Sequence, residues 1–275
     1  ENMSLSRFNP FKKKTNINVV SLRGVIGDMG RFSRGLTIEN TAPILEKAFS
    51  SKKPKLVVIQ INSPGGSPVQ SELIYNKIRA LAEKNNVKVL TIAEDVAASG
   101  GYMLMCSGDE LLANKSSIVG SIGVISASFG FKDLIEKIGV QRRVFTAGEN
   151  KSFLDPFQEV KEKDVEKLIK VQKSIFENFK ALVEKNRKGK IDPNQVCNGE
   201  FWTGDQALEL GLIDSNETLT SYLNKNFGKK YTLRPIESKK SFLKGLFSSK
   251  GSAYDGVTGL LETLYEEAFW SRYGR

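Results

Sequence analysis

Two stretches of this chain are apolar almost without interruption, Leu56 to Ile61 (LVVIQI) and Val87 to Ala93 (VKVLTIA). A strand with one wet face alternates apolar and polar residues. A strand that is apolar throughout is covered on both faces, as in a parallel sheet between helices. Between these runs Val69, Leu73, Ile74, Ile78, Leu81 and Ala82 recur at helical spacing and predict a helix from about Val69 to Lys84. Upstream, Ile17 to Leu22 reads as a strand, Gly24 to Gly35 as a loop, and Asn40 or Thr41 as the start of a helix that tolerates Pro43 in its first turn.

Downstream, the pattern predicts a helix-like run from Tyr102 to Cys106 and short strands at Glu110 to Ala113 and Ser117 to Ser126. A helix over Phe131 to Ile138 and a strand over Val140 to Thr146 follow. A long helix from about Val160 to Lys188 carries Val165, Leu168, Ile169, Ile175, Phe176, Phe179, Leu182 and Val183 on one stripe, a face suited to core or to a subunit contact. Thr203 and Gln206 form a capping-box pattern before a short helix that Gly211 ends, and one more helix precedes a strand at Tyr231 to Pro235. Such alternation predicts an α/β fold with a largely parallel sheet and right-handed crossovers.

The two ends differ from this middle. Residues 1–16 form a basic arm in which Phe8 and Phe11 adjoin Lys12-Lys13-Lys14; disorder and a weak peripheral contact with anionic membrane are its two readings. Residues 17–236 make one catalytic-sized domain, and 237–252 a Lys/Ser/Gly-rich linker. Residues 253–275 place Leu260, Leu261, Leu264, Tyr265, Ala268 and Phe269 at helical spacing, a tail for docking on its own core, on a neighbouring subunit or on a membrane surface.

Composition narrows the chemistry. The 275 residues contain no histidine, which excludes a Ser-His-Asp triad, a Cys-His dyad and the usual His-containing zinc sites. Cys106 and Cys197 have no metal-ligand spacing, so neither a metal nor a cofactor is expected. The net charge of +10 suggests anionic partners, but lysines alternate with acids along the helices and no aromatic-interleaved basic patch is present. No nucleic-acid partner is expected. No apolar run is long enough to span a bilayer and no secretory signal is visible, so a location in the cytoplasm or at its membrane is expected; Glu1-Asn2 ahead of Met3 leaves an upstream segment open.

Candidate chemistry gathers at two glycine turns, each after a buried strand: Ser63-Pro64-Gly65-Gly66 and Ala98-Ser99-Gly100-Gly101. Ligand sites of open α/β sheets form at such carboxyl ends. Ser99 is either a helix cap or a nucleophile presented on a sharp strand-to-helix turn. Pro-Gly-Gly is either an ordinary turn or a bare backbone brought against a ligand, with N–H groups there and at Gly100 able to hold an oxyanion. Neither turn has phosphate-loop spacing. Without histidine, Ser99 needs another base, from a shifted Lys, Asp, Glu, Tyr or Cys; Ser-Lys is the known variant, and a lysine serves only when held unprotonated. Most lysines lie on charged helical faces; Lys151, in the loop Ala147 to Pro156 among Phe153 and Leu154, is the one set apart.

Five co-ordered segments resemble the signal peptide peptidase A (SppA/SohB) family of serine peptidases. They are Ile61 to Gly66, Asp95 to Tyr102, Ile118 to Val124, Gly148 to Phe157 and Trp202 to Asp214. The resemblance covers about Asn18 to Tyr222 and implies the Clp-protease/crotonase-like spiral of ββα units, here with a long helix and a C-terminal helical tail. It implies Ser99 as nucleophile, Lys151 as general base from the same domain and Ser121 as the hydroxyl that orients the lysine. Gly66 and Gly100 supply the oxyanion hole, and Ser63, Pro64, Gly65 and Gly101 border the substrate. It further implies ring- or dome-shaped homo-oligomers that cleave signal-peptide remnants and other short or unfolded peptides, with small or apolar side chains near the cut. The transmembrane anchor common in the family is absent from this sequence. Two other readings of the same residues are a crotonase-type acyl-CoA enzyme, with the glycine turns polarising a thioester carbonyl and Glu94 and Asp95 nearby although neither turn itself holds a Glu acid–base, and a non-catalytic membrane-associated scaffold.

Overall fold

The computed structural model describes residues 14–30, 35–148, 150–237, 263 and 266–274. The basic arm before Lys14 and the linker and tail residues 238–262 lie outside the described residues. Strand β1 (Thr15–Arg23), helix α1 (Ile38–Ser50), β2 (Leu56–Ser63), α2 (Pro68–Asn85) and β3 (Lys88–Ala98) come first. There follow α3 (Gly100–Met105), β4 (Glu110–Ala113), β5 (Ile118–Gly120) and α4 (Lys132–Lys137). The described chain closes with α5 (Glu162–Asn186), α6 (Pro193–Val196), β6 (Phe201–Thr203), α7 (Gly204–Glu209), α8 (Leu219–Phe227) and β7 (Tyr231–Pro235).

The strands form one sheet in the order β6-β5-β3-β2-β1-β7, with β4 also paired to β3. All pairings are parallel except β5 with β6. The unbroken apolar runs have the cause the sequence suggests. Val57, Ile59 and Ile61 of β2 pack into the larger core with Leu45, Ile74, Ile78 and Tyr102, while Leu56 and Val58 face a second core with Tyr222 and Leu223 of α8. A strand with dry surfaces on both sides has no position for a charge. The buried Asn18 of β1 is one polar exception, with Ser63 of β2 and Thr91 of β3: its Nδ2 donates to the carbonyls of Ala48 and Ser51 at the end of α1.

Several elements depart from the sequence reading. Helix α1 begins three residues earlier than Thr41, because Thr37 caps it by accepting the Asn40 N–H, and Pro43 then lies inside the helix rather than in its first turn. Strand β3 runs on to Ala98. The strand expected from Ser117 to Ser126 stops at Gly120, where two successive residues, Gly120 and Ser121, take positive φ. No strand forms over 140–146. Val140 and Phe145 are exposed, and the sheet edge beside β5 is taken by β6 instead. Helix α5 is amphipathic as expected, but only its C-terminal half enters the core, through Phe179 and Val183; Val165 and Ile169 nearer its start are exposed.

A buried charge fastens this half. Arg187, 1% exposed, donates to the Gly211 carbonyl and to Asp214, whose carboxylate also accepts from Lys190 and from the Leu111 N–H. Burial pushes the Asp214 carboxyl up, but these hydrogen bonds outweigh it and hold the group below its ordinary value.

Candidate active site

The glycine turns meet at the carboxyl ends of β2 and β3. Gly65 lies so close to the second turn that a Cβ on it would stand 2.7 Å from Ser99 Cβ and 2.9 Å from the Gly100 nitrogen. A Cβ on Gly100 would strike Ser71 Oγ at 2.3 Å, and one on Gly101 the Ser63 carbonyl at 2.6 Å. Close approach of two backbones is what these glycines permit. Among the described residues no acceptor takes up the N–H of Gly66 or of Gly100. Gly66 is held by its own neighbours, since Ile26 donates to the Gly65 carbonyl at 2.8 Å and Ser67 donates to the Ile26 carbonyl at 2.6 Å.

Ser99 sits at the N-cap position of α3, yet its side chain makes no capping hydrogen bond. Its backbone is at φ 52°, ψ −121°, a conformation that costs a non-glycine residue about 1–3 kcal/mol. The hydroxyl is therefore neither a cap nor relaxed. The backbone is pinned on both sides: the Ser99 N–H donates to the Gly120 carbonyl at 2.7 Å, and its carbonyl accepts from Tyr102 and Met103. Because Ala98 pairs with Gly120 across β3 and β5, the next residues, Ser99 and Ser121, fall beside each other. The Ser121 N–H donates to the Glu200 carbonyl at 2.6 Å, which fixes it to the β6 side.

Ser99 lines two cavities. One, of about 430 Å³, also holds Ser121, Lys173, Phe176, Cys197 and Arg272. The other, of about 470 Å³, is mainly apolar and is bounded by Pro64, Gly66 and Gly100 together with Met29, Met103 and Phe179. The structure thus brings together Ser99, Ser121, Ser63, Pro64, Gly65, Gly66, Gly100 and Gly101. Lys151 is not among them. It is exposed, lines neither cavity, and no hydrogen bond joins it to Ser99 or Ser121. Its segment, from Phe129 to Phe145 and on to Val160, presents exposed apolar side chains and stands off the core. Glu94 and Asp95 line neither cavity; Glu94 pairs with Arg23 and Asp95 accepts from Asn62.

Residues that sequence reasoning missed come from far along the chain. Tyr273 donates to Ser121 Oγ at 3.2 Å, and its ring meets Phe201 edge-on at 5.3 Å. Lys173 and Cys197 reach the cavity from α5 and from the end of α6. The Cys197 thiol is pushed up to about 11 by burial, so it is protonated near neutral pH and is no rival nucleophile. Cys106 is pushed up to about 12 by the same cause.

Residues 81–229 match the model of peptidase family S49. The chain belongs to that family. As an S49 member it is 48% identical over 273 residues to a protein of Brucella melitensis named as the Na(+)/H(+) antiporter NhaA, covering 95% of this chain and 37% of that one. It is 32% identical to the putative signal peptide peptidase SppA of Enterococcus faecium, covering 71% of this chain and 58% of that protein. The chain thus spans well under two thirds of the length of these relatives. Among the described residues no helix is long and apolar enough to cross a membrane. The fold is similar, at TM-score 0.50 and 12% identity, to a mutant of the membrane-bound stomatin-specific protease 1510-N, covering 82% of this chain and 99% of that one. The S49 chain accordingly has the Clp-protease-like α/β spiral that its motifs imply.

Proposed function

We propose that the chain is a serine endopeptidase that cuts peptide bonds through an acyl-Ser99 intermediate, without ATP. The observation that carries the reading is the Ser99 backbone, strained at φ 52° with a hydroxyl that does not cap its helix. Such strain persists only where the surroundings over-determine it, and it clusters at working sites.

In this reading Ser99 Oγ attacks the scissile carbonyl carbon and its proton passes to the neutral amine of Lys151. The carbonyl oxygen becomes an oxyanion that accepts from the N–H groups of Gly66 and Gly100, worth about 3–4 kcal/mol per donor in a well-built site. Collapse expels the amine, which takes the proton from Lys151, and water then hydrolyses the acyl ester. Ser121 orients the lysine. Lys151 stands outside the cavity, so the reading requires its segment to reach Ser121, within one chain or from a second copy in a homo-oligomer. The apolar cavity beside Ser99 supports signal-peptide remnants and other short or unfolded peptides as substrates, processed in the cytoplasm or at its membrane.

The test is a fluorophosphonate probe on the intact chain, with the modified peptide identified by mass spectrometry. The reading expects modification at Ser99. A chain that stays unmodified, or is modified elsewhere, overturns it.

A further inference from the structure

The C-terminal segment borders the site. Residues 266–271 are helical, and Ala268, Phe269 and Arg272 line the apolar cavity with Met103, Ile175 and Phe179. Arg272 also lines the neighbouring cavity, with Ser99, Ser121 and Lys173. Tyr273 completes the contact by donating to Ser121 Oγ at 3.2 Å while its ring rests on Phe201. Three kinds of anchor therefore hold one short segment: apolar side chains in the groove, a hydrogen bond to a buried hydroxyl, and an edge-on aromatic pair.

We propose that this tail is an autoinhibitory plug: docked, it walls and narrows the substrate groove and crowds the Ser121 hydroxyl that Lys151 needs, and released, it widens the groove and lets the base in. The inference rests on the reading of Ser99 and Lys151 given above. Ser121 is a poor candidate for a bystander. It is 6% exposed, at φ +52°, and its N–H is committed to the Glu200 carbonyl, so its backbone is fixed and the hydroxyl is reached only from the side that Tyr273 now covers. The tyrosine ring brings its own bulk to that hydroxyl, and Lys151 stands outside in solvent. The groove is also where an apolar substrate side chain next to the cut would lie, so the tail obstructs both reaction partners at once. Apparent kcat/KM then scales with the fraction of molecules whose tail is undocked.

The test uses the full chain. Tyr273→Phe removes the donor to Ser121 and keeps the ring; Tyr273→Phe with Phe269→Glu also places a charge in the apolar groove. Each is compared with the parent for the rate of Ser99 labelling by a fluorophosphonate and for kcat/KM on a short apolar peptide. Loss of one neutral hydrogen bond is expected to raise both rates about two- to tenfold, and the double variant further. Rates equal to the parent's, with Ser99 labelled in all, overturn the plug and leave the peptidase reading intact. Slower rates overturn it too, by making the tail part of the working site. If Ser99 is labelled in no form of the chain, the nucleophile itself is wrong and the plug falls with it.

Discussion

Ser99 and Ser121 each follow one member of the pair Ala98 and Gly120, the last residues of two adjacent parallel strands, and each has a φ of +52°. Two hydroxyls are thereby placed at the same sheet level on backbones that neither residue would choose alone. The Ser99 N–H bonded to the Gly120 carbonyl ties the two turns together. A shift in one is felt in the other.

Strain at Ser99 sets stability against function. Glycine there relieves about 1–3 kcal/mol of backbone strain, against about 0.5–1 kcal/mol of added chain entropy in the unfolded state. No capping bond is lost with the hydroxyl. Ser99→Gly is expected to unfold at higher urea, by about 1 kcal/mol, with peptide turnover abolished. A less stable variant, or one that still turns over peptide, contradicts this account.

Gly65 tests the contact between the turns. An alanine Cβ would lie 2.7 Å from Ser99 Cβ, at a φ of +100°. Overpacking of this kind costs about 1–3 kcal/mol, and displacement of a nucleophile by about 1 Å costs on the order of 100-fold in rate. Gly65→Ala should stay folded by circular dichroism and lose activity by about that factor. Retained activity would mean that the two turns do not position Ser99.

Two lysines compete as base. Lys173 lines the cavity with Ser99 and Ser121, and Lys151 is exposed outside it. The dyad reading expects Lys151→Ala to abolish turnover, while Lys173→Ala retains it within about tenfold, an allowance for a changed cavity wall. The reverse result transfers the base to α5 and removes Lys151 from the mechanism.

Asp214 predicts the response to acid. Its folded-state carboxyl lies below the ordinary value, so its contribution is fully present above the unfolded pKa of about 4 and is lost as pH falls through the lower, folded value. Asp214→Asn leaves Arg187, with a side chain 2% exposed, without its counter-charge. We expect a loss of about 3–5 kcal/mol at pH 7, narrowing below pH of about 4 as the parent carboxylate is itself protonated. Denaturant melts at both pH values check this, and a deficit independent of pH would remove Asp214 from the acid response.

Local signals carried far in this protein. The apolar runs of β2 and β3, the Thr203–Gln206 capping box and the two glycine turns after strands were all legible along the chain, because each depends on neighbours within a few residues, and the absence of histidine is a matter of composition alone. What only the packing decided was which distant groups meet. That the Ser99 hydroxyl leaves its helix uncapped, that Ser121 stands beside it through the register of β3 with β5, and that Tyr273 reaches Ser121 from 152 positions away all follow from elements docked across the sheet. The strand expected over 140–146 failed for the same reason. A β-prone segment becomes a strand only where a sheet edge is open to it, and β6 had taken the edge beside β5.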